Sequence, residues 1–301
     1  MVPTFQASTG YSMSGLGYFA AAATVTALVA TGGVRLARSR LKRERQDHGN
    51  RGRLWDWFYG QDWGDVTTNN YGFAPATGDH PQRFQHQMYM ELLNMLKASG
   101  RLKPHTDLLE ISCGRGGGLA HLVRNWPGSL TATGLDLSEN ALKACRKAHG
   151  DLKNLTFVRG SALELPFPDS SFDAILNVEA SNDYGDFPGF FREVHRVLRP
   201  DGVFLYTDTR RAHEAEPVAR MMREAGFEGE FRDITQNAIE ACRLDSPRRA
   251  RAIRERAPWL LYRMFKDDLH SYAAVEGSRK FNKFVNGQRL YVMTAAVKAA
   301  T

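Results

Sequence analysis

The chain has 301 residues, 43% of them hydrophobic and 24% charged, with 27 Gly and 12 Pro, enough to bury a substantial core. This composition excludes disordered, collagen-like and low-complexity classes, and three cysteines (Cys113, Cys145, Cys242) without a CxxC pair exclude a disulfide framework. The net charge of +7 invites a nucleic-acid reading, but its distribution opposes one.

Residues 1–34 carry no charged side chain, and the run Gly17–Val34 has about the length that crosses a bilayer as a helix. Residues 35–53 then hold eight basic groups, Arg35, Arg38, Arg40, Lys42, Arg43, Arg45, Arg51 and Arg53, against Glu44 and Asp47. The rest of the chain is therefore nearly neutral, and no nucleic-acid partner is expected. Basic residues after an apolar run hold that side in the cytoplasm, whereas a signal peptide carries them before it. The expectation is a single-pass N-terminal membrane anchor with its basic linker over 1–53 and a cytoplasmic catalytic domain over 54–301. A cleaved targeting peptide, leaving a soluble or organellar protein, and an unstructured tail are the alternatives.

Residues 54–100 read as a cap: an aromatic block with Trp55, Trp57, Phe58, Tyr59, Trp63, Tyr71 and Phe73, then a helix over Gln82–Ser99 with Met88, Leu92, Met95 and Leu96 on its apolar face. Strands and helices then alternate. Strands are predicted at Asp107–Ser112, Leu130–Leu135, Leu155–Arg159, Ala174–Val178, Val203–Asp208 and Glu228–Ile234. Helices are predicted at Leu119–Asn125, Ser138–His149 with Ser138 as N-cap, Phe187–Leu198 and Pro217–Ala225. A helical, Arg-rich insertion over 236–287 precedes a last strand, Gln288–Val297. The alternation gives an α/β fold with a doubly wound, mostly parallel sheet.

The first strand runs into Glu110-Ile111-Ser112-Cys113-Gly114-Arg115-Gly116-Gly117-Gly118. Glycines at a strand-to-helix turn let a ligand approach the backbone closely. The second strand ends in Gly134-Leu135-Asp136, which places a carboxylate to accept the ribose hydroxyls of a nucleoside cofactor. The loop lacks the dinucleotide GxGxxG pattern and no Tyr-Lys pair accompanies it, against a nucleotide-dependent oxidoreductase.

With Leu165-Pro166-Phe167-Pro168-Asp169-Ser170-Ser171-Phe172-Asp173 and Val194-His195-Arg196-Val197-Leu198-Arg199-Pro200-Asp201-Gly202, the series resembles class I S-adenosylmethionine-dependent methyltransferases over about 107–235 and the final strand. That resemblance implies a Rossmann-like sheet of seven strands with helices on both faces. Leu176-Asn177-Val178-Glu179-Ala180-Ser181, the glycine loop and Leu205–Arg210 are similar to phthiotriolone/phenolphthiotriolone dimycocerosate methyltransferases. More distantly, the aromatic block and Glu179-Ala180 resemble sterol C-methyltransferases. Both imply a hydrophobic small-molecule or lipid acceptor, methylated on oxygen or, alternatively, on carbon; a non-catalytic cofactor-binding scaffold is the remaining reading.

The resemblance implies that Glu110, Ser112, Gly114 and Gly116 hold the methionine part of S-adenosylmethionine, Asp136 the ribose and Leu137 the adenine, with Asn177 also in contact. The acid that usually reads the adenine amino group is replaced by Ser161, followed by Ala162; Glu164 is a possible substitute. Glu179, just past the fourth strand, is the candidate base or orienting group, with Asp183 and Tyr184 on the same loop. His86 is a second candidate base on the covering helix. His195 falls inside a helix and Cys113 has no base placed beside it, so neither is given a role. The Arg243–Arg256 cluster reads as a membrane-surface segment or a solvated helix face. No metal-ligand spacing is present.

Overall fold

The structure is a computed structural model and describes residues 55–56, 59–61, 64–257 and 259–299. The chain divides into Met1–Arg51 and Gly52–Thr301, and the architecture below belongs to the second unit. The apolar run 17–34 and the basic stretch 35–53 lie outside the described residues. The expected membrane localisation is corrected: among the described residues no helix is long and apolar enough to cross a membrane.

The strands are β1 (His105–Ile111), β2 (Ser129–Asp136), β3 (Leu155–Arg159), β4 (Phe172–Val178), β5 (Leu198–Arg211), β6 (Phe227–Glu228), β7 (Arg232–Asp233) and β8 (Arg289–Lys298). They form one eight-stranded sheet in the order β3-β2-β1-β4-β5-β8-β6, with β7 also paired to β8. The first five are parallel, and β8 runs antiparallel to β5 from Val203↔Val297 to Arg211↔Arg289. That pairing carries β5 from the predicted end at Asp208 to Arg211, and its early start at Leu198 pairs with Phe172 of β4. The single strand predicted over Glu228–Ile234 is two short pieces. Each pairs with a different part of β8, Phe227 with Lys298 and Arg232 with Met293.

The helices are α1 (Arg83–Ala98), α2 (Gly117–Asn125), α3 (Glu139–His149), α4 (Phe187–Val197), α5 (Ala215–Glu224), α6 (Thr235–Arg256), α7 (Trp259–Tyr272) and α8 (Arg279–Val285). Alternation along the strands splits the core into two layers. Leu108, Ala174, Leu176, Val203, Leu205 and Met293 pack with α1, α2, α6 and α8 on one face. Leu109, Ile111, Ile175, Phe204, Tyr206 and Val292 pack with α4 and α5 on the other. Ser138 caps α3 by accepting from the Ala141 N–H at 3.1 Å. Parallel strands end together, so the loops after β1, β2, β3 and β4 gather at one edge, where such sheets bind ligands.

The Arg-rich insertion is a solvated face over Arg243, Arg251, Arg254 and Arg256, which are exposed, but not at Arg249. Arg249 is buried, donating from Nε to Asp245 at 2.9 Å, from Nη2 to the Tyr71 carbonyl at 2.7 Å and from Nη1 to the Ala273 carbonyl at 2.7 Å. Arg243 and Arg248 are in ion pairs with Glu240, Glu276 and Asp245.

Candidate functional site

The carboxyl edge carries the glycine loop. Gly114 and Gly116 have φ of +56° and +71°, and Ser112 has +61°. Gly116 stands as the left-handed N-cap of α2, a conformation glycine adopts without steric cost. The loop is closed by neighbours from the next strand: the Gly114 N–H donates to Asp136 Oδ2 at 2.9 Å and the Ser138 N–H to Oδ1 at 2.8 Å. Asp136 is buried at the end of β2, and burial pushes its carboxyl up to about 6 against the pull of these two amides.

Glu110 lies on the α1 face of β1, 1% exposed. Its Oε1 accepts from the Tyr89 hydroxyl at 2.7 Å, while Oε2 is buried with no hydrogen-bond partner. Burial pushes this carboxyl up to about 8. Asn177, fully buried at the end of β4, donates to the Ile111 carbonyl at 3.0 Å and the Tyr184 hydroxyl at 2.7 Å. Tyr184 in turn donates to Ser112 Oγ at 2.8 Å. The Oδ1 of Asn177 is a second buried acceptor without a partner.

Glu179 sits one residue past β4 with φ +51°. Its backbone N–H donates to the Thr207 carbonyl at 2.9 Å, which pins it to β5. Its Oε1 accepts the Tyr71 N–H at 2.6 Å and the Tyr291 hydroxyl. Burial pushes the carboxyl up to about 7, opposed by those two donors. A carboxylic acid held there exchanges its proton near neutrality, which suits a general base.

The loop that follows Glu179 rests on a buried network. Arg210 donates to Asn182, Ser181 and Tyr206, and pairs with Asp208 at 3.2 Å. Phe187 stacks over its guanidinium at 4.7 Å.

The N-terminal segment lies across this edge as a strap. Trp55 donates to Asp183 at 2.8 Å, and Asp56 accepts from Ser138 Oγ at 2.6 Å. A Cβ on Gly114 would stand 2.8 Å from the Tyr59 hydroxyl, so Tyr59 lies over the loop. Arg115 donates to the carbonyls of Tyr59 at 3.2 Å, Gln61 at 2.5 Å and Val66 at 3.4 Å. Gln82, buried at the start of α1, accepts from the amides of Thr67 and Thr68 at 3.1 and 3.0 Å.

Glu110, Ser112, Gly114, Gly116, Asp136 and Asn177 thus share one edge, with Glu179 beside them. Leu137 is 54% exposed there. Ser161 is taken up by its own turn, its Oγ accepting from the Leu163 N–H at 3.2 Å, with Ala162 buried behind it. Glu164 pairs back to Ser161 through the backbone. His86 stands apart from the Glu179 contacts, stacked on His121 at 4.2 Å and tilted against His80 at 4.5 Å. Burial, then the two neighbouring imidazoles, push it down to about 3. Tyr89 was not singled out by the sequence, and Tyr71, Tyr291 and Arg249 were given no role in the site. Tyr89 offered one signal, four residues from Gln85 and Leu93 on the buried side of α1.

Residues 109–206 match the methyltransferase domain family. The chain is 40% identical to the fatty-acid O-methyltransferase of Mycolicibacterium smegmatis over 54% of its own length and 59% of that protein. It is 36% identical to the probable phthiotriol/phenolphthiotriol dimycocerosates methyltransferase 2 of Mycobacterium ulcerans, over 61% of this chain and 69% of that protein. The chain belongs to the class I S-adenosylmethionine-dependent methyltransferases. The methyltransferase spans little more than half the length of several curated relatives it matches. Among solved structures, the geranyl diphosphate C-methyltransferase of Streptomyces coelicolor superposes with a TM-score of 0.60 at 18% identity, covering 82% of this chain and 97% of that one. The [4+2]-cyclase SpnF superposes with a TM-score of 0.67 at 19% identity, over 84% and 96%. These two establish the methyltransferase's fold; that one of them is a cyclase shows why chemistry must be argued from side chains.

Proposed function

We propose that this methyltransferase moves the methyl group of S-adenosylmethionine to an oxygen of a hydrophobic, lipid-type acceptor. The observation that carries the reading is Glu179: a partly buried carboxyl with an affinity for protons near neutrality, held between Tyr71 and Tyr291 at the edge that bears the glycine loop. The names of the mycobacterial relatives support a lipid acceptor and, for one of them, oxygen as the atom methylated.

The residues fit the cofactor. Glu110 Oε2 and Asn177 Oδ1 are buried acceptors lacking a donor, and an ammonium group supplies donors. Asp136 keeps lone pairs for ribose hydroxyls beyond the two amides it accepts. Gly114 and Gly116 carry no side chain over the loop, so a ligand can approach its backbone closely, Ser112 and Tyr184 fix the rim, and Leu137, Ser161 and Ala162 flank the adenine end. Bound there, S-adenosylmethionine supplies an electrophilic methyl on a sulfonium. Glu179 takes the proton of the acceptor hydroxyl as the oxygen attacks, and Tyr291 and Tyr71 steady the carboxylate before the proton arrives. The strap of Trp55, Tyr59 and Tyr71 keeps water from competing. His86 has no part in this scheme, because an imidazole held near 3 is too weak a base.

The test is transfer from methyl-labelled S-adenosylmethionine to long-chain hydroxy and carboxylic acceptors, with the product read by carbon NMR. A labelled methoxy signal is expected, and Glu179→Gln should lower turnover by roughly 10²- to 10⁴-fold with cofactor affinity retained. A label on carbon, or an unimpaired Glu179→Gln enzyme, contradicts the scheme.

A further inference from the structure

Tyr206, Asp208 and Arg210 alternate along β5 and so share one face of the sheet. All three are buried, Arg210 being only 2% exposed. A buried cation beside a buried anion is retained only when its hydrogen bonds are satisfied. Here both partners direct them to Ser181 and Asn182, in the short turn Ser181–Asp183 that follows Glu179. Asp208 accepts from Ser181 Oγ and from Asn182 Nδ2, each at 2.6 Å. Arg210 donates to Ser181 Oγ and Asn182 Oδ1 and closes the ring on Asp208 at 3.2 Å. The Tyr206 hydroxyl meets Ser181 Oγ at 2.9 Å.

Glu179 precedes this turn with φ +51°, a left-handed backbone that is costly for any residue but glycine. Such a conformation persists only where the surroundings over-determine it. On one side Glu179 is tied by its own N–H to the Thr207 carbonyl at 2.9 Å. On the other, the turn is tied to Asp208 and Arg210. Both anchors belong to β5, and both lie within four residues of each other.

We infer that Asp208 and Arg210 are positioning residues for the transfer reaction, a charge-balanced pair that holds the Ser181–Asp183 turn and with it the backbone that presents the Glu179 carboxyl. The effect on rate rests on the proposed role of Glu179; the hold on Glu179 stands without it.

The balance of charge matters because of what surrounds the carboxyl. Glu179 faces the Tyr71 N–H from the strap, the Tyr291 hydroxyl from β8, Lys280 from α8, Cys242 from α6 and Asp208 from β5. Arg249 and Arg289 lie behind Tyr71. Asp208 is the acidic member of this set. Asp208→Asn removes the anion and leaves the Arg210 cation, so Glu179 should lose its proton at lower pH. Arg210→Gln leaves the anion uncompensated, so the midpoint should rise. Exchanging both residues restores neutrality, and the midpoint should return, but the turn has then lost its guanidinium.

The test uses the full chain in these three variants. Carbon NMR of protein labelled at the glutamate side-chain carboxyl, without methyl donor, follows the Glu179 signal, assigned by its loss in Glu179→Gln. The single variants should shift its midpoint by about one pH unit in opposite directions, and the double variant should bring it back. In methyl transfer, kcat above the midpoint should fall about ten- to a hundredfold in the double variant, because charge is restored and position is not. A pair kept for stability alone would lower the thermal midpoint when broken and leave the titration unmoved. If Arg210→Gln does not fold, Asp208→Asn against the double variant carries the comparison. Titration midpoints that stay in place or move the same way, or a double variant with native kcat, overturn the inference. If Glu179→Gln turns over normally, the proposed role of Glu179 fails, and the titration midpoints still decide whether the pair acts on it.

Discussion

The ring of Tyr89 fills the space where a side chain on Gly118 would begin: a Cβ there would stand 1.9 Å from the ring. The same tyrosine donates to Glu110 at 2.7 Å, so α1, α2 and β1 meet at one tight point. Gly118→Ala must push Tyr89 off Glu110. Overpacking of this kind costs about 1–3 kcal/mol. A lower thermal midpoint and weaker S-adenosylmethionine binding are expected together; a variant with native affinity would place Glu110 outside the cofactor contacts.

Turnover should depend on pH through Glu179. Its carboxyl is held at about 7, and the base must be deprotonated, so the rate should rise through that pH and then level. Tyr291→Phe removes a donor that favours the carboxylate, which moves the midpoint upward. A profile of kcat against pH for both proteins decides this; a midpoint unmoved in Tyr291→Phe removes the tyrosine from the device.

Stability should depend on pH through Glu110. Its carboxyl is held at about 8 in the fold against an ordinary value of 4.5. Between those values the folded state keeps a proton that the unfolded chain releases, so stability is full below about 4.5 and falls as pH rises toward 8. Each unit of pH across the window costs up to roughly 1.4 kcal/mol. Denaturant midpoints of the ligand-free protein should fall from pH 5 to 8, and Glu110→Gln should flatten the slope. Identical slopes would refute the assignment.

Arg249 should be a large stability determinant. It ties α6 to Tyr71, whose N–H serves Glu179. Arg249→Met leaves the Asp245 charge with fewer partners and the Tyr71 carbonyl with only the Cys242 thiol at 3.7 Å, a loss of about 3–5 kcal/mol. Equilibrium unfolding should show it. In Arg249→Lys, the single ammonium cannot reach all three acceptors, and stability should be recovered only in part.

Much of the sheet was legible because alternating strands and helices leave a strong periodic signal, with β3 at Leu155–Arg159 as read from the sequence. The C-terminal end of β5 and the break between β6 and β7 were not, since both are set by pairing with β8, some 80 residues away from β5. A Cβ on Gly229 in that break would lie 2.9 Å from the Ala296 backbone, a tertiary approach without a local pattern. Similarly, the glycine loop and Asp136 announce themselves by spacing. The donors to Glu179 come from positions 71 and 291 and carry no motif. Within the arginine cluster, the inward turn of Arg249 was not legible, because its acceptors lie at Tyr71 and Ala273, far off in the sequence.

The three carbonyls that Arg115 grips belong to the strap, while Arg115 itself belongs to the glycine loop. Strap and glycine loop are therefore one mechanical unit, joined by a guanidinium to Tyr59, Gln61 and Val66 and by the Trp55–Asp183 and Asp56–Ser138 contacts, so a displacement of the loop is passed directly to the segment that covers it.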